Sequence, residues 1–347
     1  MITKAFACYN LDEDERVRSS SGGVYPLIAK EILAHNGVVY AACYDDNLEV
    51  IHKHINTEDG LRASQGSKYV QSKIRDTFAS VAQDMQNGKD VLFVGTPCQC
   101  AGLDSYITGL RLDSSGLILM DFVCHGVPSN AAWKSYKNKY TKNNDRLISI
   151  NMRDKSTGWR TGNYAWREVT AGGKVSVTPR RQVSYMKGML ANLYIRQSCF
   201  ECQFKGIDRV TDFTLGDFWG VEKYLPELDD DKGTSLVLVH TEKGLSLFES
   251  IHDKIMFATA DISKAVESNA CLEQSTKYNP KREEFFCHFN NGEEFVSIID
   301  DLTRVSIGTK VINKMKNIIK KPFKNGGGAL EDSIFAPYSG ELLEVAA

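Results

Sequence analysis

Three short runs of almost unbroken apolar character, Gly37-Val-Val-Tyr-Ala-Ala-Cys43, Asp90-Val-Leu-Phe-Val94 and Leu117-Ile-Leu-Met-Asp-Phe-Val123, are separated by segments whose apolar residues recur at helical spacing. A strand that is apolar on both faces has to be covered on both faces, and joining such strands through helices makes them parallel. The expected fold is therefore α/β, a mainly parallel or mixed sheet flanked by helices. The helical stretches are Gly22 to His35, preceded by the capping hydroxyls of Ser19-Ser20-Ser21, then amphipathic Val70 to Gln86, and Asn130 to Tyr140.

From Leu147 the texture becomes polar, glycine-containing and aromatic, with Asn163 to Thr170 and Lys174 to Thr178 reading as strands of an antiparallel insert at about 147–180. After a helical Tyr185 to Leu193, the strands Phe213-Thr-Leu-Gly216 and Ser235-Leu-Val-Leu-Val-His240 resume the sheet, and a helix follows near Gly244 to His252. The expected organisation is one domain over 1–255, a helical C-terminal extension over 256–325, and a tail over 326–347.

A chain of 347 residues, 42% hydrophobic and 25% charged, is ample for a folded core. Lys+Arg 42 against Asp+Glu 44 gives a net charge of -2, so there is no overall basic field to attract nucleic acid, and any cationic site is local. Residues 1–8 lack the apolar core of a secretory signal, and no apolar run approaches the ~20 residues that span a bilayer, so a cytoplasmic location is expected. The basic amphipathic stretch 305–321 sets Ile307, Val311, Ile312, Met315 and Ile319 near one face; contact with a membrane surface is one reading, but ordinary packing of a terminal helix is favoured.

Nine cysteines, an odd number, make a poor disulfide framework in a reducing compartment. Cys98 and Cys124 each follow an apolar strand, and residues just past the carboxyl ends of neighbouring parallel strands converge on one crevice. Cys199-Phe-Glu-Cys202 has the C-x-x-C spacing with which one turn presents two sulfurs to a metal or cluster. Four thiolates suit either a [4Fe-4S] cluster or zinc. Cys8, Cys43, Cys271 and Cys287 read as packing residues, and Cys100 points away from Cys98. Cys124, His125 and Asp121 also suggest a thiol nucleophile, although adjacent residues on a strand face opposite ways. The basic group Arg153, Lys155, Trp159, Arg160, Arg180 and Arg181 is either an anion site, as in a zinc-stapled binding module, or a solvated face.

The segments Val94-Gly-Thr-Pro-Cys-Gln99, Phe122-Val-Cys-His-Gly126, Ser198-Cys-Phe-Glu-Cys202 and Thr211-Asp-Phe-Thr-Leu-Gly-Asp-Phe-Trp-Gly220 occur in this order, with Ser20-Ser-Gly-Gly23 and Gly66-Ser-Lys-Tyr-Val-Gln-Ser72 upstream. Together with Lys232 to Thr241 they resemble the coenzyme F-420 hydrogenase/dehydrogenase beta-subunit family over roughly residues 15–255. The resemblance implies an oxidoreductase with one [4Fe-4S] cluster on Cys98, Cys124, Cys199 and Cys202, and an FAD against Ser21, Gly22, Gly23, Ser67, Lys68 and Tyr69, with Thr96 counted among the cofactor-binding residues. Gly22-Gly23 at a helix start agrees with a pyrophosphate there, since small residues let backbone N–H groups approach an anion.

His125, holding a cluster sulfur or the flavin, and Asp217, positioned near the cluster or acceptor, are the candidate catalytic residues. Residues 1–8 carry none of the additional cysteine run of relatives with a ferredoxin-like module. An external electron donor, a separate ferredoxin or a reduced flavin-type cofactor, is therefore expected, with a small organic acceptor. Relatives of this length imply a setting in surface polysaccharide metabolism.

Overall fold

A computed structural model describes residues 3–141, 145–160 and 163–304. Residues Met1–Thr303 form one compact unit, and Arg304–Ala347 a second that lies almost wholly outside the described residues, as do the expected helix at 305–321 and the tail.

Eleven strands are described: β1 Lys4–Asn10, β2 Val38–Tyr44, β3 Val50–Ile55, β4 Val91–Val94, β5 Leu117–Phe122, β6 Leu147–Asp154, β7 Ala165–Thr170, β8 Val175–Pro179, β9 Phe213–Asp217, β10 Ser235–Val239 and β11 Ile255–Thr259. Eight of them form one sheet in the order β11-β1-β10-β9-β5-β4-β2-β3. Its centre, β2-β4-β5-β9, is parallel, and both flanks are antiparallel. The sheet is thus mixed, with helices on both faces, as the apolar runs require.

The alternation within β4 and β5 shows why those runs had to be apolar throughout. Leu92, Ile118 and Met120 pack with Val24, Ile28 and Phe248 on one face. Val91, Phe93, Leu117 and Leu119 pack with Val81, Leu103 and Ile107 on the other. Burying each such side chain contributes about 1.5–3 kcal/mol, so a polar residue at any of these positions is costly.

The insert is a separate three-stranded antiparallel sheet, β6-β7-β8, whose inner face joins an aromatic core around Tyr185, Trp133 and Trp166. In that core Tyr136 donates to buried Glu168 at 2.8 Å.

Several sequence readings differ from the structure at element level. The helix expected over Val70 to Gln86 is Thr77–Gln86 only, because residues 70–76 leave helical geometry: Lys73 bridges to Ile51 and Arg75 has φ 48°. The helix expected from Gly22 to His35 is Val24–Ala34, preceded by Gly23 at φ 83°, and does not include Gly22; a short helix at Glu13–Arg18 comes before it. Strands β1, β3, β6 and β11 are additions to the expected set, β6 lying within the expected insert. The boundary expected at 255 falls inside the main sheet, since β11 pairs with β1, and residues 256–303 belong to the same compact unit as the rest. No helix among the described residues is long and apolar enough to cross a membrane.

Candidate functional site

A cavity of about 530 Å³ opens at the carboxyl ends of the parallel strands. Strand β4 ends there in Gly95 and Thr96, β5 in Phe122, Val123 and Cys124, and β9 in Asp217. This is where an open parallel sheet leaves backbone groups unpaired and room between diverging loops.

Of the four candidate ligand cysteines, Cys124 lines one wall of the cavity, while Cys98, Cys199 and Cys202 do not line it. Cys98 occupies the first turn of the helix Pro97–Gly109, and its Sγ lies 3.1 Å from Thr96 Oγ1. The Gln99 side chain accepts from the Thr96 N–H at 3.0 Å and holds that turn. Cys124 lies beyond β5, and Lys205 Nζ donates to the carbonyls of both Cys124 and Cys271. The C-x-x-C turn approaches through Gly126: a Cβ on this residue, whose φ is 144°, would sit 3.3 Å from Cys199 Cβ. Backbone contacts Arg196 N to Val127 O and Ser129 N to Tyr194 O tie the two segments together.

The structure places Cys98, Cys124, Cys199 and Cys202 in one electrostatic neighbourhood: Cys98 and Cys199 both act on Cys124, and Cys202 and Cys98 on Cys199. Burial pushes the Cys124 thiol up to about 12, and burial likewise raises Cys199. Cys98 is exposed and Cys124, Cys199 and Cys202 are half-buried; an all-thiol donor set is one that a cationic iron–sulfur centre would convert to thiolates. The residues fit such a group in kind. Among the described residues, no three His, Cys, Asp or Glu side chains are drawn together as ligands of one metal ion.

Cys100 is fully buried with its Sγ toward Met120 O, away from this group. Cys271, a packing residue by its sequence, instead lines the cavity with its Sγ 3.7 Å from His125 Nδ1. Nothing in the local sequence around Cys271 signals this. His125 Nε2 meets Asn192 Oδ1 at 2.8 Å, and Asn192 Nδ2 donates to Lys277 O, which fixes the amide orientation. The Nε2 therefore carries the proton and Nδ1 faces the Cys271 thiol. Burial lowers the His125 pKa, so the ring is neutral. Asp121 accepts from Arg209 at 2.9 Å and from Thr214 at 2.5 Å, and so does not orient His125 as a nucleophile–base–acid chain would require.

On the other wall, Ser21, Gly23, Ser67, Lys68 and Tyr69 line the cavity with Thr96, and Gly22 does not. Gly22 is needed for packing: a Cβ there would lie 2.4 Å from Cys8 O, and its N–H already donates to Ser235 Oγ. Ser21 Oγ donates to Thr234 O, and Ser67 Oγ to Ser20 Oγ. Lys68 Nζ donates to the carbonyls of Ser64, Gln65 and Gly66 at 2.8, 3.0 and 3.2 Å, closing the helix Glu58–Ser64. Burial lowers its pKa to about 8, and among the described residues no carboxylate pairs with it. The helix Val24–Ala34 opens on this wall with no side-chain cap at Gly23, leaving the first N–H groups for an anion.

Asp217 is held on both oxygens: Arg153 grips it at 2.5 and 3.2 Å, and Trp159 Nε1 donates at 2.9 Å. It anchors the insert to β9.

A search of curated proteins finds no match. A chain of the F420-reducing [NiFe] hydrogenase complex from Methanosarcina barkeri, solved in a xenon-derivatised crystal, is similar in fold, with TM-score 0.50 and 14% identity over 91% of this chain and 92% of that one. The family model for the C terminus of the coenzyme F420 hydrogenase/dehydrogenase beta subunit matches residues 88–265, a span that includes Cys98, Cys124, Cys199 and Cys202. The chain belongs to the coenzyme F420 hydrogenase/dehydrogenase beta-subunit family, and so to a family of redox subunits.

Proposed function

We propose that this protein is an iron–sulfur flavoprotein that passes electrons between an external donor and a small organic acceptor, with a [4Fe-4S] cluster on Cys98, Cys124, Cys199 and Cys202 and an FAD in the adjoining cavity. The observation that carries this reading is that thiols from three separate segments, Cys98, Cys124 and the Cys199–Cys202 turn, act electrostatically on one another near a 530 Å³ cavity at the carboxyl edge of the parallel strands. When bound, such a pair supplies one-electron and two-electron chemistry side by side.

The chain's own groups have definable tasks. The first turn of Pro97–Gly109 carries Cys98, and the Thr96 hydroxyl is placed to donate to that sulfur. Lys205 links the carbonyls of Cys124 and Cys271 and offsets negative charge on Cys124. On the facing wall, the uncapped start of Val24–Ala34 and the cationic Lys68 favour an anionic ligand such as a pyrophosphate. The thiol of Cys271 and the neutral His125 ring form a short hydrogen-bonded pair facing the cavity, suited to holding a proton near a bound ligand.

The test is anaerobic purification and reconstitution followed by iron, sulfide and flavin analysis. The reading requires about four iron atoms and one FAD per chain and a brown protein with flavin absorbance. A colourless protein carrying zinc and no flavin would overturn it.

A further inference from the structure

Of the basic residues singled out in the insert, most are already engaged. Arg160 pairs with Asp229, Lys155 donates to the carbonyls of Arg16, Ser21 and Lys232, and Arg181 is exposed. Two remain open toward the cavity. Arg153 is 5% exposed and its terminal nitrogens hold Asp217, yet its Nε is enclosed with no hydrogen-bond partner. Arg180 forms no ion pair among the described residues, and its Nε is also enclosed and unpartnered.

Both guanidinium groups rest on Tyr164, at 4.4 Å for Arg153 and 5.1 Å for Arg180. The register of the insert brings the three together. Ala165 pairs with both Asp154 and Pro179, so the end of β6, the start of β7 and the end of β8 meet at one corner of the sheet, and Arg153, Tyr164 and Arg180 all line the cavity.

Enclosed guanidinium N–H groups without acceptors are costly, and their forked geometry matches phosphate and carboxylate oxygens. The charges on the lining point the same way. Asp217 is matched by Arg153 and Asp121 by Arg209, which leaves Arg180 and Lys68 as cations that no carboxylate pairs among the described residues. We propose that Arg180 and Arg153, seated on Tyr164, form an anion-binding subsite through which the insert grips a phosphate or carboxylate of the molecule filling the cavity. This rests on the cavity being the ligand site of the proposed flavoprotein.

The probe is inorganic pyrophosphate titrated into the full-length chain freed of flavin, read by the fluorescence of Trp219, which lines the cavity and stacks on Trp159. Arg180→Ala is expected to weaken binding on the order of tenfold to a hundredfold, the range for charge-assisted hydrogen bonds, with Arg180→Lys between it and wild type and Arg181→Ala unchanged. Equal affinities for R180A and wild type, equal losses in R180A and R181A, or no pyrophosphate binding by wild type would each overturn the proposal.

An FAD titration then assigns the anion. A parallel loss of FAD affinity in R180A places a flavin phosphate at the subsite, and unchanged FAD affinity places the anionic group of the organic substrate there; either result supports the subsite. Pyrophosphate binding without any flavin binding would sink the flavoprotein reading while leaving the subsite in place.

Discussion

The two walls of the cavity are built on opposite principles. On the wall carrying Ser21, Ser67 and Lys68, these three side chains already have partners within the chain: the Lys68 ammonium closes a helix end, and the serines bond to Thr234 and Ser20. On the cysteine side, Cys98 is exposed, Cys124, Cys199 and Cys202 are half-buried, and burial raises the Cys124 and Cys199 thiols. Side chains that bond within the chain are set before any ligand arrives, whereas grouped thiols gain a full set of partners only from a cationic centre. The difference separates residues that shape the cavity from residues that hold the inorganic group.

The sharpest attempt to break this comparison is Cys199→Ser. Loss of most bound iron and of the brown absorbance is expected, with flavin content much less affected; full iron retention would remove Cys199 from the ligand set. Next in size is Arg209→Met, which leaves Asp121 buried without its cationic partner. Breaking a buried pair in this way costs about 3–5 kcal/mol, so the denaturant midpoint should fall steeply, and a midpoint within error of wild type would show that the pair does not brace the end of β5.

Lys68→Met tests the other wall through pH. The native pKa of Lys68 is about 8 and its ordinary value is 10.5, so between those values the unfolded chain binds more protons and this lysine makes stability rise with pH. Below about pH 8 its burial cost is fully present. The substitution should flatten that rise in urea titrations at pH 7.5, 9 and 10, and an unchanged slope would mean that the ammonium is not desolvated. The smallest effect is expected for Thr96→Val in the reconstituted protein. Removing a hydroxyl that donates to a cluster-bound sulfur disfavours the more negative reduced form, lowering the reduction potential by about 20–60 mV. A potential that stays constant, or rises, would place that hydroxyl elsewhere.

The central parallel strands were legible because burial on both faces leaves a direct mark, an unbroken apolar run, on β2, β4 and β5. The antiparallel insert was legible from its change of texture at Leu147. Strand β3, Val50-Ile-His-Lys-His-Ile55, was not: it is an edge strand whose polar residues meet solvent or, as with His52, bond back to Val94 O. The helix expected over Val70 to Gln86 was too long because amphipathic spacing persists through a segment that instead pairs with β3.

The amino-acid sequence by itself determined the layer order, the strands that Cys98 and Cys124 follow, and the C-x-x-C turn, since these follow from periodicity and spacing along a few adjacent residues. Only the tertiary structure decided that Gly22 is a packing glycine, that Lys68 closes a helix, that Cys271 joins His125 at the cavity, and that Arg180 is left without a carboxylate while Arg153 is not. The physical reason is that a polar side chain's role depends on which partners have already met its hydrogen bonds; apart from Lys68, whose three carbonyl partners are two to four residues away, those partners lie tens to hundreds of residues away, brought close only when the sheet and its insert pack.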